Sequence, residues 1–130
     1  MYKKTIGNYG EEVAKEHLEE SGYTILDRNF RCRTGEIDII AEKHHIIIFA
    51  EVKSRYNSLY GNPCESVNYL KRLKIYKTAK FYIIKNNLMN FDFRFDVIEI
   101  ILNYKNNKKC INHIKNAFSN IKILKCIFFI

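Results

Sequence analysis

At 130 residues the chain has room for one compact domain and little for a second, and 47% hydrophobic residues are enough for a real core, which excludes wholesale disorder. The formal charge of +8, with a pI near 9.3, is compatible with a polyanionic partner, although Lys, Asn and Ile are over-used throughout, so basicity alone supports this weakly. Cys32, Cys64, Cys110 and Cys126 are scattered without a CxxC pair, and the opening "MYKKTIGNYGEE" lacks an apolar signal core. This excludes a zinc pattern and predicts free thiols in a cytoplasmic setting.

In chain order, "GEEVAKEHLEESGY" predicts a first helix. Val13, Ala14, His17 and Leu18 fall on one face, acids lie on the other, and Gly22 supplies the stop. His17 in that stripe reads as a packed or half-buried histidine. "YTILDRNF" is a strand, followed by a hairpin of two apolar runs, Ile37–Ala41 and Ile46–Val52, whose turn falls around Glu42–His45. His44 and His45 at that turn read as solvated imidazoles. "YNSLYGNP" carries turn residues, and Pro63 favours a helix beginning just beyond it, roughly Cys64 to Lys85. One stripe of that helix, Val67–Ile75–Ala79–Tyr82, contains Lys71, a cation that either snorkels to solvent or points at something negative. "FDFRFDVIEIIL" is a further strand, Asn103–Lys109 a loop, and "HIKNAF" a short closing helical turn. The terminal "IKILKCIFFI" is apolar but short, and Lys122 and Lys125 argue against a membrane span. The expected order is α-β-β-β-α-β-α, a mixed α/β domain.

The hairpin carries charges where a core should have none. With period two along a strand, Glu51 and Lys53 project from one face, while Glu36, Asp38 and Ile40 share a face of the preceding strand. If the two strands pair, Asp38 comes to lie beside Glu51 or Lys53. Two carboxylates buried together need a cation. Mg²⁺ is commonly held by one or two carboxylates, with water and substrate phosphate completing its shell. The alternative is a surface ion pair among Asp38, Glu51 and Lys53 at an exposed strand end.

The pattern of Asp38 followed by "EVK" at the end of the next strand resembles the PD-(D/E)xK nuclease superfamily. More narrowly, "GNYGEEVAKEHLEESGY", "NFRCRTGEIDIIA", "FAEVKSR", "YGNP", "FRFDV" and "INHIKNAF" resemble the YraN-type family, to which an endonuclease role is ascribed from its motif, and which is related to archaeal Holliday-junction resolvases. These pieces span Gly7 to Phe118. Ala50 departs from the larger apolar residue usual before the Glu, and 119–130 extends beyond a single nuclease-like domain at 1–118.

The resemblance implies a restriction-endonuclease-like sheet flanked by helices. Asp38 and Glu51 would be ligands of Mg²⁺ or Mn²⁺, with the Val52 backbone carbonyl as a third, and Lys53 would be the catalytic lysine. Glu11 would reach the metal through water, Glu12 being a lower-ranked candidate, and Glu36 would support the ligands from behind. Arg55 and Lys71 would contact phosphate, and Asp96 is as readily a structural partner as a functional one. Arg28, Arg31, Arg33 and the helix carrying Arg72 would track a nucleic-acid backbone without reading sequence. The expected activity is metal-dependent cleavage of DNA, selective for branched or damaged structures, by a chain whose resolvase-like relatives are often dimers. The alternatives are a non-catalytic nucleic-acid-binding module on the same fold and a protein-interaction domain.

Overall fold

The computed structural model describes residues 2–56, 68–103 and 108–118. Helix α1 (Tyr2–Glu20) is followed by strands β1 (Thr24–Cys32), β2 (Gly35–Lys43) and β3 (Ile46–Tyr56), helix α2 (Tyr69–Lys85), and strands β4 (Asp92–Leu102) and β5 (Lys109–Ile114). The five strands form one sheet in the order β1-β2-β3-β4-β5. Every neighbouring pair is antiparallel except β3 and β4. A parallel neighbour cannot be reached by a tight turn, so the chain between β3 and β4 crosses over through α2.

Period-two alternation in the central strands sends side chains to both faces, and each face is covered. Ile47 and Phe49 pack with Ile75, Tyr76, Ala79, Tyr82 and Ile83 of α2. Ile48 and Ala50 pack with Val13, Ala14 and Leu18 of α1. This is why β2, β3 and β4 read as nearly continuous apolar runs. The small Ala41 and Ala50 belong to the α1 layer, so the departure at Ala50 is a packing feature of that face.

Helix α1 begins well before the expected Gly10. Its end is as expected: Gly22 has φ +92°, and Tyr23 N–H returns to the Leu18 carbonyl at 2.9 Å. Gly10 lies inside the helix where α1 crosses β3. A Cβ built there would collide with Ser54 Oγ and stand 2.9 Å from Ser54 Cβ. We expect Gly10→Ala to lower stability by about 1–3 kcal/mol in urea unfolding, as over-packing does, and Ser54→Gly to restore most of it in the double variant. Equal stability of Gly10→Ala and wild type would mean that α1 does not sit this close.

The β2–β3 turn falls at His44 and His45, both with positive φ, as a two-residue hairpin requires. His44 is exposed as expected. His45 is exposed too but partnered, its ring stacked on Phe91 at 4.1 Å and its Nε2 3.1 Å from the Asn90 carbonyl.

One expected element is wrong. His113 and Ile114 do not open a closing helix; they end β5, and the order is α-β-β-β-α-β-β. The outer edge of β4 needs a backbone partner, which β5 supplies from Val97↔Ile114 to Leu102↔Lys109. Helix is then blocked by Asn116 (φ +54°), whose N–H goes to Asp96 Oδ1 at 3.0 Å, while Ala117 N–H bonds the Phe95 carbonyl at 2.8 Å. Residues 57–63 of the "YNSLYGNP" turn, residues 64–67 of the expected second helix, most of the Asn103–Lys109 loop and the 119–130 extension lie outside the described residues. Among the described residues, Cys32 and Cys110 are free thiols, and no helix is long and apolar enough to cross a membrane.

Candidate active site at the parting of two strands

Strands β2 and β3 pair from Lys43↔Ile46 as far as Ile39↔Ala50 and no further. Beyond that point the Val52 N–H lacks a ladder acceptor on β2, and the Asp38 carboxylate takes its place. Asp38 Oδ2 accepts the Val52 N–H at 2.8 Å. The same parting opens a cleft of about 520 Å³, lined by Gly7 and Glu11 of α1, Asp38 of β2 and the run Glu51 to Tyr56 of β3. A second recess of about 270 Å³, toward α2, also reaches Asp38 and Glu51 and is lined by Gly35, Glu36, Lys71, Lys74 and Ile75.

Glu51 is the hub of the charges. Its side chain is 11% exposed, with Lys71 Nζ at 2.9 Å and Lys53 Nζ at 3.7 Å from Oε1. Lys71 therefore resolves the choice its apolar stripe left open: it points inward, at an acid. Asn68 caps α2 by accepting the Lys71 N–H, which sets the first turn of the helix against the site. Burial pushes the Asp38 carboxyl up to about 7, helped by the charges of Glu51, Glu11 and Glu36 and opposed by the Val52 N–H. Burial also lowers the Lys53 ammonium below its ordinary value, and Lys71 beside it adds to this. Lys71 goes the other way. Burial would lower it, but its bond to Glu51 wins and raises it.

Of the expected residues, Glu11, Asp38, Glu51, Val52, Lys53 and Arg55 share the large cleft. Val52 contacts Asp38 through its N–H, not its carbonyl. Glu12 does not line the cleft and is paired with Arg28 at 3.1 Å and Lys15 at 3.5 Å. Glu36 lines the smaller recess and is paired with the exposed Arg31 at 2.7 Å. Arg33 is exposed beyond the end of β1, and Arg72 lies over the Phe118 ring. Arg55 is ion-paired at 2.6 Å with Glu99, a buried acid of β4.

Glu99 escaped the sequence reading, although it interrupts "VIEIIL" just as Asp38 interrupts its own apolar run. Lys74 was likewise not singled out. Asp96 belongs to a different cluster, on the α1 face. It is fully buried and accepts from Arg94 Nε at 2.8 Å, Arg94 Nη2 at 2.9 Å and Asn116 N–H at 3.0 Å, with His113 Nε2 at 2.8 Å. His113 Nδ1 meets His17 Nε2 at 3.1 Å, and Arg94 donates to the Tyr23 hydroxyl at 2.6 Å. His17 is thus half-buried, as expected, and tied to β5. "FRFDV" and "INHI" are two halves of one structural lock.

A divalent cation suits the donors of the cleft. They are carboxylate oxygens, and the raised Asp38 carboxyl is relieved by positive charge. The Lys71 ammonium on Glu51 stands in for part of that charge. Among the described residues, however, no three His, Cys, Asp or Glu side chains form a ready-made metal cage. Water and substrate oxygens would have to complete the shell.

The model of a family described as "Uncharacterised protein family UPF0102" matches residues 10–100. The chain belongs to the UPF0102 family. A UPF0102 protein of Clostridium kluyveri is 59% identical over 117 residues, which cover 90% of this chain and 96% of that protein. One from Clostridium tetani is 61% identical over the same length and with the same coverage. One from Clostridium acetobutylicum is 57% identical over 115 residues, 88% of this chain and 94% of that protein. The family match includes Glu11, Asp38, Glu51, Lys53, Arg55 and Glu99; His113, the partner of Asp96, lies beyond it.

Proposed function

We propose that the protein is a metal-dependent nuclease of the PD-(D/E)xK kind, hydrolysing phosphodiester bonds of DNA, with a preference for branched or damaged structures. The observation that carries this reading is the convergence of Asp38, Glu51 and Lys53 on one cleft at the parting of β2 and β3. Asp38 and Glu51 would hold Mg²⁺ or Mn²⁺, with Glu11 acting through water. When bound, the ion supplies a water of lowered pKa and positive charge for the phosphate. Val52 N–H holds Asp38 in place, and Lys71 holds Glu51. Lys53, partly buried and with its ammonium pKa lowered, can orient the attacking water or neutralise charge on the phosphate.

The Lys71–Glu51 contact, together with the missing third ligand among the described residues, favours a second reading, a nucleic-acid-binding module that does not cut. One experiment separates the two. Linear, single-stranded, flapped and four-way-junction DNA, with RNA counterparts, are incubated with the protein and Mn²⁺ or Mg²⁺. Metal-dependent cutting is expected, reduced at least about 100-fold by Lys53→Ala and by Asp38→Ala. Retained binding without cutting across the panel would establish the binding module instead.

A further inference from the structure

We infer that Glu99 is a positioning residue, whose buried carboxylate fixes the Arg55 guanidinium on the wall of the cleft, where Arg55 engages a phosphate of the substrate. The inference rests on the nuclease reading and names a part of the site that the Asp-Glu-Lys motif leaves out.

Glu99 is 2% exposed in a central strand. The parallel register sets it directly beside Lys53. Alternation puts it on the same face as Val97, which faces α2, and hence on the face of Glu51 and Lys53. Arg55 follows Lys53 by two residues, so it shares this face too. Its Nη2 lies 2.6 Å from Glu99 Oε2, and its side chain, 24% exposed, reaches the cleft that holds Asp38, Glu51 and Lys53.

A carboxylate sunk in a run of Ile and Val is poor design for stability alone. A buried ion pair is commonly no better than an apolar pair of similar volume. The acid does give Arg55 a fixed orientation. A guanidinium is a planar fork that recognises phosphate oxygens well when its orientation is limited in advance, and a carboxylate held against one nitrogen limits how far it can swing. The basic wall is built in pairs: Lys71 on Glu51, Arg55 on Glu99, and Lys53 in register with Glu99 between them. Removing the acid would leave Arg55 charged but without the carboxylate that holds its Nη2 at the wall of the cleft.

The test is a double-variant cycle on the full chain, with flapped and four-way-junction DNA and Mn²⁺. It reads kcat and KM separately, with thermal melting alongside. Arg55→Ala and Glu99→Gln are each expected to lower kcat/KM about ten-fold or more, and the double variant to fall no further than Arg55→Ala. Stabilisation of the protein by Mn²⁺ should be unchanged in all three, since neither residue is among the proposed metal ligands. Should Glu99→Gln not fold, Glu99→Asp replaces it, keeping the charge but withdrawing it by one methylene. Cutting by the wild type with Glu99→Gln within two-fold of it, or additive losses in the double variant, overturns the positioning role while leaving the nuclease reading intact. A wild type that cuts none of these substrates overturns both.

Discussion

Asp38→Asn is expected to melt at a higher temperature than the wild type at pH 8 and, on the proposed nuclease reading, to lose metal-dependent cutting. The Asp38 carboxyl is raised from 3.8 to about 7 in the fold, first by burial and then by Glu51, Glu11 and Glu36. A raised acid binds its proton more tightly when folded, so its ionised form works against folding. This penalty is absent below about pH 4, grows between pH 4 and 7, and is complete above. At about 1.4 kcal/mol per pKa unit, a rise of about three units makes it on the order of 4 kcal/mol at pH 8. The amide introduced by Asp38→Asn carries no charge and offers an oxygen to the Val52 N–H, so the variant escapes the penalty. The difference in stability between Asp38→Asn and wild type should therefore open across pH 4–7. Mg²⁺ or Mn²⁺ should raise the melting temperature of the wild type at pH 8 and leave Asp38→Asn unmoved. An Asp38→Asn variant that melts at or below the wild-type temperature at pH 8 would show that the fold does not strain this carboxylate. A gain in stability on removing a functional group is the ordinary sign of a site kept at the cost of the fold.

Asp96→Ala is expected to have the opposite effect, a loss of about 3–5 kcal/mol, because it leaves the partly buried Arg94 guanidinium and the His113 ring without their acid. Asp96→Asn should lose about half as much, since its amide oxygen can still accept while its NH₂ faces donors. Burial alone would raise the Asp96 carboxyl, but His113, Arg94 and the Asn116 N–H together hold it below its usual value. It therefore adds stability that is present above the ordinary carboxylate pKa and is lost as pH falls below about 4. Urea unfolding at pH 7 and pH 3 measures both points. A loss under about 1 kcal/mol for Asp96→Ala would mean that the lock joining α1, β4 and β5 is not what holds them. If the protein is the nuclease proposed, Asp96→Asn should cut DNA as well as the wild type once folded, which separates this acid from Asp38.

The two carboxylates show how far residue pattern reaches. Asp38 and Asp96 both interrupt apolar strands, and pattern alone treats them alike. Environment divides them. Asp96 is met by four donor groups, whereas Asp38 is met by one N–H and surrounded by acids. Glu99 carries the same signal as Asp38, but its meaning depends on Arg55 in the neighbouring strand. The "HIKNAF" segment departs from its expected helical turn for a related reason. Its local composition tolerates a helical turn, and only the open edge of β4 and the side chain of Asp96 make it a strand and a left-handed turn.

Local sequence determined the elements set by short-range periodicity: the amphipathic α1 with its Gly22 stop, the paired strands β2 and β3 with their two-residue turn, and Glu51 beside Lys53 on one face. It also held the family motif, because residues two apart on a strand are neighbours in any fold. Tertiary structure decided which charges meet across elements. The parting of β2 and β3 aims Asp38 at Val52, the α2 crossover brings Lys71 to Glu51, and the parallel register sets Glu99 beside Lys53 and within reach of Arg55. Those contacts join residues 14 to 44 positions apart, and their register is set by packing on two core faces, which no local pattern encodes.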